Sequence, residues 1–113
     1  VSSIQEDKVA RVTVHSGVCG FTTHIEAMPA ADGRHVDLAI DSDCMAVLKL
    51  AAELTQVDAF REISFRGEGP LTLRLAPRCL NHPACPVPSG IIKAVEVAAG
   101  LALPAEARIE VER

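Results

Sequence analysis

A chain of 113 residues is the size of one domain, and its 49% apolar content includes only three phenylalanines and no tryptophan or tyrosine. The core must therefore be aliphatic, and the stacking platforms of single-strand nucleic-acid binders are missing. A net charge of −4 without a basic run argues against a nucleic-acid partner, and no apolar stretch reaches the length of about 18 residues a membrane span needs.

Residues 9–15 alternate, with Ala10, Val12 and Val14 on one side and Arg11, Thr13 and His15 on the other, which predicts a half-buried strand. The segment Gly17-Val18-Cys19-Gly20 ends it. Residues 21–27 alternate again, Phe21, Thr23, Ile25 and Ala27 inward and Thr22, His24 and Glu26 outward. Ala31-Asp32-Gly33 supplies a hairpin turn, where glycine readily takes positive φ. A third strand follows, with Val36, Leu38 and Ile40 inside and His35, Asp37 and Ala39 outside.

Asp41 or Ser42 then caps a helix running to about Leu54, whose apolar stripe is Cys44, Val47, Leu48, Ala51 and Leu54. Two readings stay open for residues 57–78. Phe60, Ile63 and Phe65 suit a strand or a short helical turn, and Gly69-Pro70 starts either a helix or a strand carrying Leu71, Leu73 and Leu75. A second helix opens at Ser89 and reaches about Ala99, with Gly100 as its C′ residue. Only Lys93 and Glu96 on it are charged, so it must be largely buried. Pro104 prevents further helix, and Arg108–Glu112 is expected as a last strand with Ile109 and Val111 inward. The sum is a single α+β domain over residues 1–113: a two-layer fold with a mostly antiparallel sheet and two main helices on one face. A split barrel is the rival.

The N-terminus, Val1-Ser2-Ser3-Ile4-Gln5-Glu6-Asp7, has neither a basic region nor an apolar one, so the expected compartment is the cytoplasm. There, four cysteines favour metal or thiol chemistry over structural disulfides, although an even count also suits two disulfides. Each cysteine sits where the hydrophobic pattern breaks, unlike a structural thiol inside an apolar run. In a three-strand meander the first and third strands run the same way, so Cys19 and Cys44 follow strand ends at one edge of the sheet. Two strand spacings put those ends about 10 Å apart. Cys79 and Cys85 join them only if the second helix begins at the same end.

The leading expectation is a zinc or iron–sulfur centre held by Cys19, Cys44, Cys79 and Cys85, serving structure or electron and metal handling. The Cys79-x5-Cys85 spacing is looser than common zinc pairs, and Cys85-Pro86 weakly matches the Cys-Pro of iron–sulfur proteins. His82 is the non-cysteine ligand candidate, and its plainer role is closing a proline-rich turn. His15, His24 and His35 read as surface residues, and Asp41 and Asp43 as helix-start charges. Gly17 and Gly20 flank a turn whose N–H groups could form an anion nest, and Ser89 and Gly90 open a helix N-terminus of the same kind. Neither carries the GxxxxGKS/T pattern of a phosphate loop. No catalytic residue is assigned, and enzymatic activity stays open.

Two alternatives come from other classes. A thiol redox protein would use Cys44, acidified in the first turn of a helix, with Cys19 as resolving partner; the missing CxxC counts against it. A protein-interaction module or homodimer would join through a sheet edge, although Arg108, Glu110 and Glu112 look like charges that blunt the last strand.

The segments Val18-Cys19-Gly20-Phe21-Thr22-Thr23, Asp43-Cys44 and His82-Pro83-Ala84-Cys85-Pro86-Val87-Pro88-Ser89-Gly90-Ile91-Ile92-Lys93-Ala94, continuing to Gly100-Leu101-Ala102-Leu103-Pro104, resemble a family of small uncharacterised prokaryotic proteins. The resemblance spans nearly the full chain and is most specific in the Cys85–Gly90 segment before the last helix. It implies that Cys19, Cys44, Cys79 and Cys85 are shared by the family, and it implies no activity. The chain departs from the pattern between Gly67 and Pro77.

Overall fold

Alternation along residues 10–42 closes into three antiparallel strands, β1 (Ala10–His15), β2 (Thr22–Pro29) and β3 (His35–Ser42), in a computed structural model that describes residues 8–113. The reading of Val1–Asp7 lies outside the described residues. Register follows the pattern: Val12 pairs with Ile25 and Ile25 with Ile40, while Ala10 pairs with Ala27 and Ala27 with Leu38. These rows face the core, and the rows between them carry Arg11, Glu26, Thr13, His24 and Asp41 on the open face. Phe21 departs from expectation. It lies before β2 in the hairpin loop and is exposed, because pairing starts at Thr22.

The first helix, α1 (Met45–Glu53), begins three residues later than an Asp41 cap, and two later than a Ser42 cap, would place it. β3 stays paired through Ser42, opposite Thr23, so both residues are held as strand and Cys44 becomes the N-cap. The buried face is Val47, Leu50 and Leu54, while Leu48 points partly to solvent. A short strand, β4 (Gln56–Asp58), then adds antiparallel to β3 and completes the order β1-β2-β3-β4.

Residues 59–79 resolve as two helices joined by a turn-rich segment. A single turn, α2 (Ala59–Glu62), is capped by the Asp58 carboxylate, which accepts from the Phe60 N–H, and α3 runs from Leu71 to Cys79. Phe60, Ile63 and Phe65 all face outward. What starts α3 is a carboxylate nine residues upstream. Glu62, 1% exposed, accepts from the N–H of Leu71 (2.6 Å), the N–H of Thr72 (3.1 Å) and the Thr72 hydroxyl (2.5 Å). Donors at a helix start that have no intrahelical partner are thus met by a buried anion, which also suits the positive end of the dipole.

The last helix, α4 (Val87–Ala98), opens two residues before Ser89. Pro88 is no obstacle there, because first-turn N–H groups have no helical acceptor to lose. α4 crosses β1 and β2, and α1 packs on β3, so both helices cover one face of the sheet. Gly90 is the point of closest approach: a Cβ there would collide with Val14 Cγ2 and touch Ile25 Cδ1 at 3.5 Å and Val12 Cγ1 at 3.6 Å. At the other end, Gly100 (φ +75°) donates to Val97 O and the Leu101 N–H donates to Glu96 O, the paired bonds of a Schellman motif.

The expected last strand does not form within the chain. Arg108–Glu112 forms no strand and pairs with none among the described residues, with Ile109 82% and Val111 87% exposed. The Schellman turn and Pro104 direct the chain away from the sheet after α4.

Two outcomes test this packing. Gly90→Ala should lower stability, because overpacking costs about 1–3 kcal/mol against a helix-propensity gain of about 1 kcal/mol. Val14→Ala should recover part of that loss in the double variant, read from the urea midpoints of the four proteins. Glu62→Ala should cost about 2–5 kcal/mol by leaving buried donors unmet. Glu62→Gln, which keeps one acceptor oxygen, should cost less in the same titration.

Candidate functional site

Cys19 sits at the exposed tip of the β1–β2 loop. Gly17 (φ +89°) and Gly20 (φ +75°) shape that loop, and hydrogen bonds from Gly20 N–H to Gly17 O (2.9 Å) and Ser16 N–H to Phe21 O (3.1 Å) close it. The Gly20 donor is therefore spent inside the turn and does not serve an anion nest. Cys44 lies at the same end of the sheet, half-buried at the start of α1. The residue before it, Asp43, donates its N–H to Thr22 O at 3.3 Å, three residues on from Cys19.

A short polar chain fixes Cys44 from beneath. The buried Thr23 hydroxyl and the Ser42 hydroxyl lie 2.7 Å apart, and Ser42 Oγ accepts the Cys44 N–H at 3.1 Å. The Cys44 side chain makes no capping hydrogen bond, so its sulfur is not committed to the helix start.

Cys85 meets the topological condition set by the sequence. Gly90, in the first turns of α4, lies over Val14, and Val14 shares a row with Thr23 and Ser42, the last core-facing row beneath Cys44. The start of α4, with Cys85 just ahead of it, is thus at the Cys19 and Cys44 end. His82 is exposed, and its carbonyl accepts from the Cys85 N–H at 3.1 Å, the turn-closing role. Ser89 is exposed on α4, while Gly90 is buried and donates to Pro86 O. Glycine stands at position 90 for packing, and it has no free donor for an anion.

Cys79 is elsewhere. It ends α3, buried, and its thiol donates to Glu53 Oε2 at 3.4 Å. Glu53 is the last residue of α1 and Cys44 its cap, so a rise of 1.5 Å per residue separates them by about 14 Å along the axis. Burial pushes the Cys79 thiol pKa up, and the hydrogen bond and negative charge of Glu53 push it further. It is a protonated, structural thiol. The fold therefore does not unite Cys19, Cys44, Cys79 and Cys85, and among the described residues no three His, Cys, Asp or Glu side chains are gathered as a metal ion would need. All four cysteines are free thiols.

Two polar regions escaped the sequence reading. On the open face, Thr13, His24 and Asp41 form one cross-strand row, with Thr13 Oγ1 3.3 Å from His24 Nδ1. At the far end from the Cys19 loop, a cleft of about 310 Å³ is lined by His35, Gln56, Asp58, Arg61, Glu62 and Arg74. Its charges are spent within the protein: Arg34 on Asp58 (2.7 Å), Arg74 on Glu68 (3.4 Å), and Glu62 on the start of α3. Burial would raise the Asp58 pKa, but the Arg34 hydrogen bond and the Phe60 N–H outweigh it and hold the carboxyl low. Its contribution to stability is complete above about pH 4 and is lost as the pH falls through the lowered native value. Asp32 is likewise held low, first by the His35 side chain at 2.6 Å and then by the N–H groups of His35 and Arg34.

Under native conditions iodoacetamide should label Cys79 slowest, its rate rising to that of the other thiols only on unfolding, as read by peptide mass spectrometry.

A family of unknown function (DUF6951) matches residues 10–111. No curated protein and no solved structure shows significant similarity to the chain.

Proposed function

The chain belongs to that family of unknown function, and we propose for it a thiol-based redox role in which Cys44 is the attacking thiol and Cys19 the resolving one. One observation carries the reading: Cys19 and Cys44 share one end of the sheet, uncommitted, while Cys79 is withdrawn onto Glu53. Cys44 is placed by the Thr23–Ser42 chain, Cys19 sits on the glycine-flanked β1–β2 loop, and the disulfide requires that loop to close on Cys44.

The chemistry is disulfide exchange with a small-molecule or protein disulfide. The Cys44 thiol loses its proton and attacks one sulfur of that disulfide, forming a mixed disulfide and releasing the other sulfur as a thiolate. Cys19, deprotonated in turn, attacks Cys44 Sγ, closing the Cys19–Cys44 bond and releasing the second thiolate. The incoming disulfide gains two electrons, the protein's two thiols lose them, and the two protons end on the released thiols.

Reduced protein treated with oxidised glutathione should lose the mass of two hydrogens and yield a Cys19–Cys44 linked peptide. Cys19→Ser should stop at a glutathione adduct on Cys44, Cys44→Ser should give no intramolecular disulfide, and Cys79→Ser should behave as the unaltered protein. Glutathionylation confined to Cys19 in the unaltered protein would overturn the reading.

A second reading, a zinc or iron–sulfur centre, is favoured by the arrival of Cys85 at the same end. It would use Cys19, Cys44 and Cys85, with His82 from the adjoining turn, and it requires the two loops to close on Cys44. Elemental analysis of protein purified without air distinguishes the two. A stoichiometric metal lost in Cys19→Ser and Cys85→Ser supports the centre, and a metal content far below one per chain rules it out.

A further inference from the structure

We propose that residues 105–113 are a β-strand that pairs with the outer edge of β1 in a second copy of the chain, giving an arm-exchanged homodimer. The segment has the residue pattern of a strand but no partner among the described residues. Ala105, Ala107, Ile109 and Val111 alternate with Glu106, Arg108, Glu110 and Glu112, so one face is wholly apolar and the other wholly charged. The stretch forms no helix or turn, and every residue of it is exposed. An apolar strand face bare to water is a disfavoured state that pairing removes.

The exit of α4 decides whose sheet it meets. Two hydrogen bonds fix the turn at Gly100, and Pro104 bars a return to helix after it. The arm leaves its own domain and pairs with none of its own strands among the described residues.

Two sheet edges could receive it, and β1 fits better. β4 has only three residues, runs straight into α2, and is acidic at Asp58. β1 has six residues and, among the described residues, no strand on its outer side. Its core-facing residues, Ala10, Val12 and Val14, would continue into Ala107, Ile109 and Val111; Val12 at this edge is only half-buried despite facing inward. The charges are complementary as well. Residues 8–15 carry Lys8 and Arg11 and no acid, Arg11 pairing with Glu26 at 3.0 Å, while residues 105–112 carry three glutamates against Arg108. Reciprocal exchange of two arms is a closed two-fold arrangement, so assembly stops at the dimer.

Sedimentation of the full chain across a concentration series, with reductant present to exclude a Cys19 cross-link, tests the proposal. The expected mass is twice 12.0 kDa. Ile109→Asp with Val111→Asp should convert the dimer to monomer without changing the circular dichroism of the domain, since both side chains lie outside its core. A second disruption, Glu110→Pro, should do the same by removing a strand donor. The unaltered chain remaining monomeric at every concentration overturns the proposal, whether its arm amides exchange freely or are protected by folding back on their own sheet. A dimer that survives both arm variants overturns it too.

Discussion

The close approach of α4 to the sheet at Gly90 governs the arrangement of everything else. With no Cβ in the way, the helix settles on Val14, Ile25 and Val12, and its start is drawn to the end of β1. That one contact sets which end of the domain receives Cys85 and the 80–86 segment. It also buries Ile91, Ala94, Val95 and Ala98. Displacing it would unseat the aliphatic core and the cysteine end together.

A second constraint acts from the opposite corner. Glu62 ties α2 to the start of α3 and thereby aims Cys79 at Glu53 instead of at the other thiols. A buried carboxylate with three donors is costly to build and costly to lose, because the anion and its donors are all out of water. The fate of one cysteine thus rests on an ion that lies far from it.

The meander was legible in the sequence because each strand buries one face, and a period of two survives any uncertainty about ends. Its parity alone placed Cys19 and Cys44 at one edge. The helix starts were less legible. Ser42 has the chemistry of a cap, but strand pairing to Thr23 outcompetes it. Residues 57–78 were opaque for a different reason: α3 is started by Glu62 through space, and Phe60, Ile63 and Phe65 face solvent, so no local period marks the segment. Cys79 could not be placed without α3, which is why the four-cysteine centre looked feasible from spacing alone. The arm at 105–113 shows the converse, an alternating pattern that forms no strand within its own chain.

The central claim is spatial: Cys44 belongs with Cys19 and not with Cys79. Three variants, each retaining only two cysteines and otherwise native in their circular dichroism, can be treated with a short dithiol-specific crosslinker and read by intact mass. The account predicts internal crosslinking of Cys19 with Cys44 and none of Cys44 with Cys79 or Cys19 with Cys79. Efficient crosslinking of Cys79 to either thiol in the folded protein, with Cys19 and Cys44 left unlinked, would contradict it.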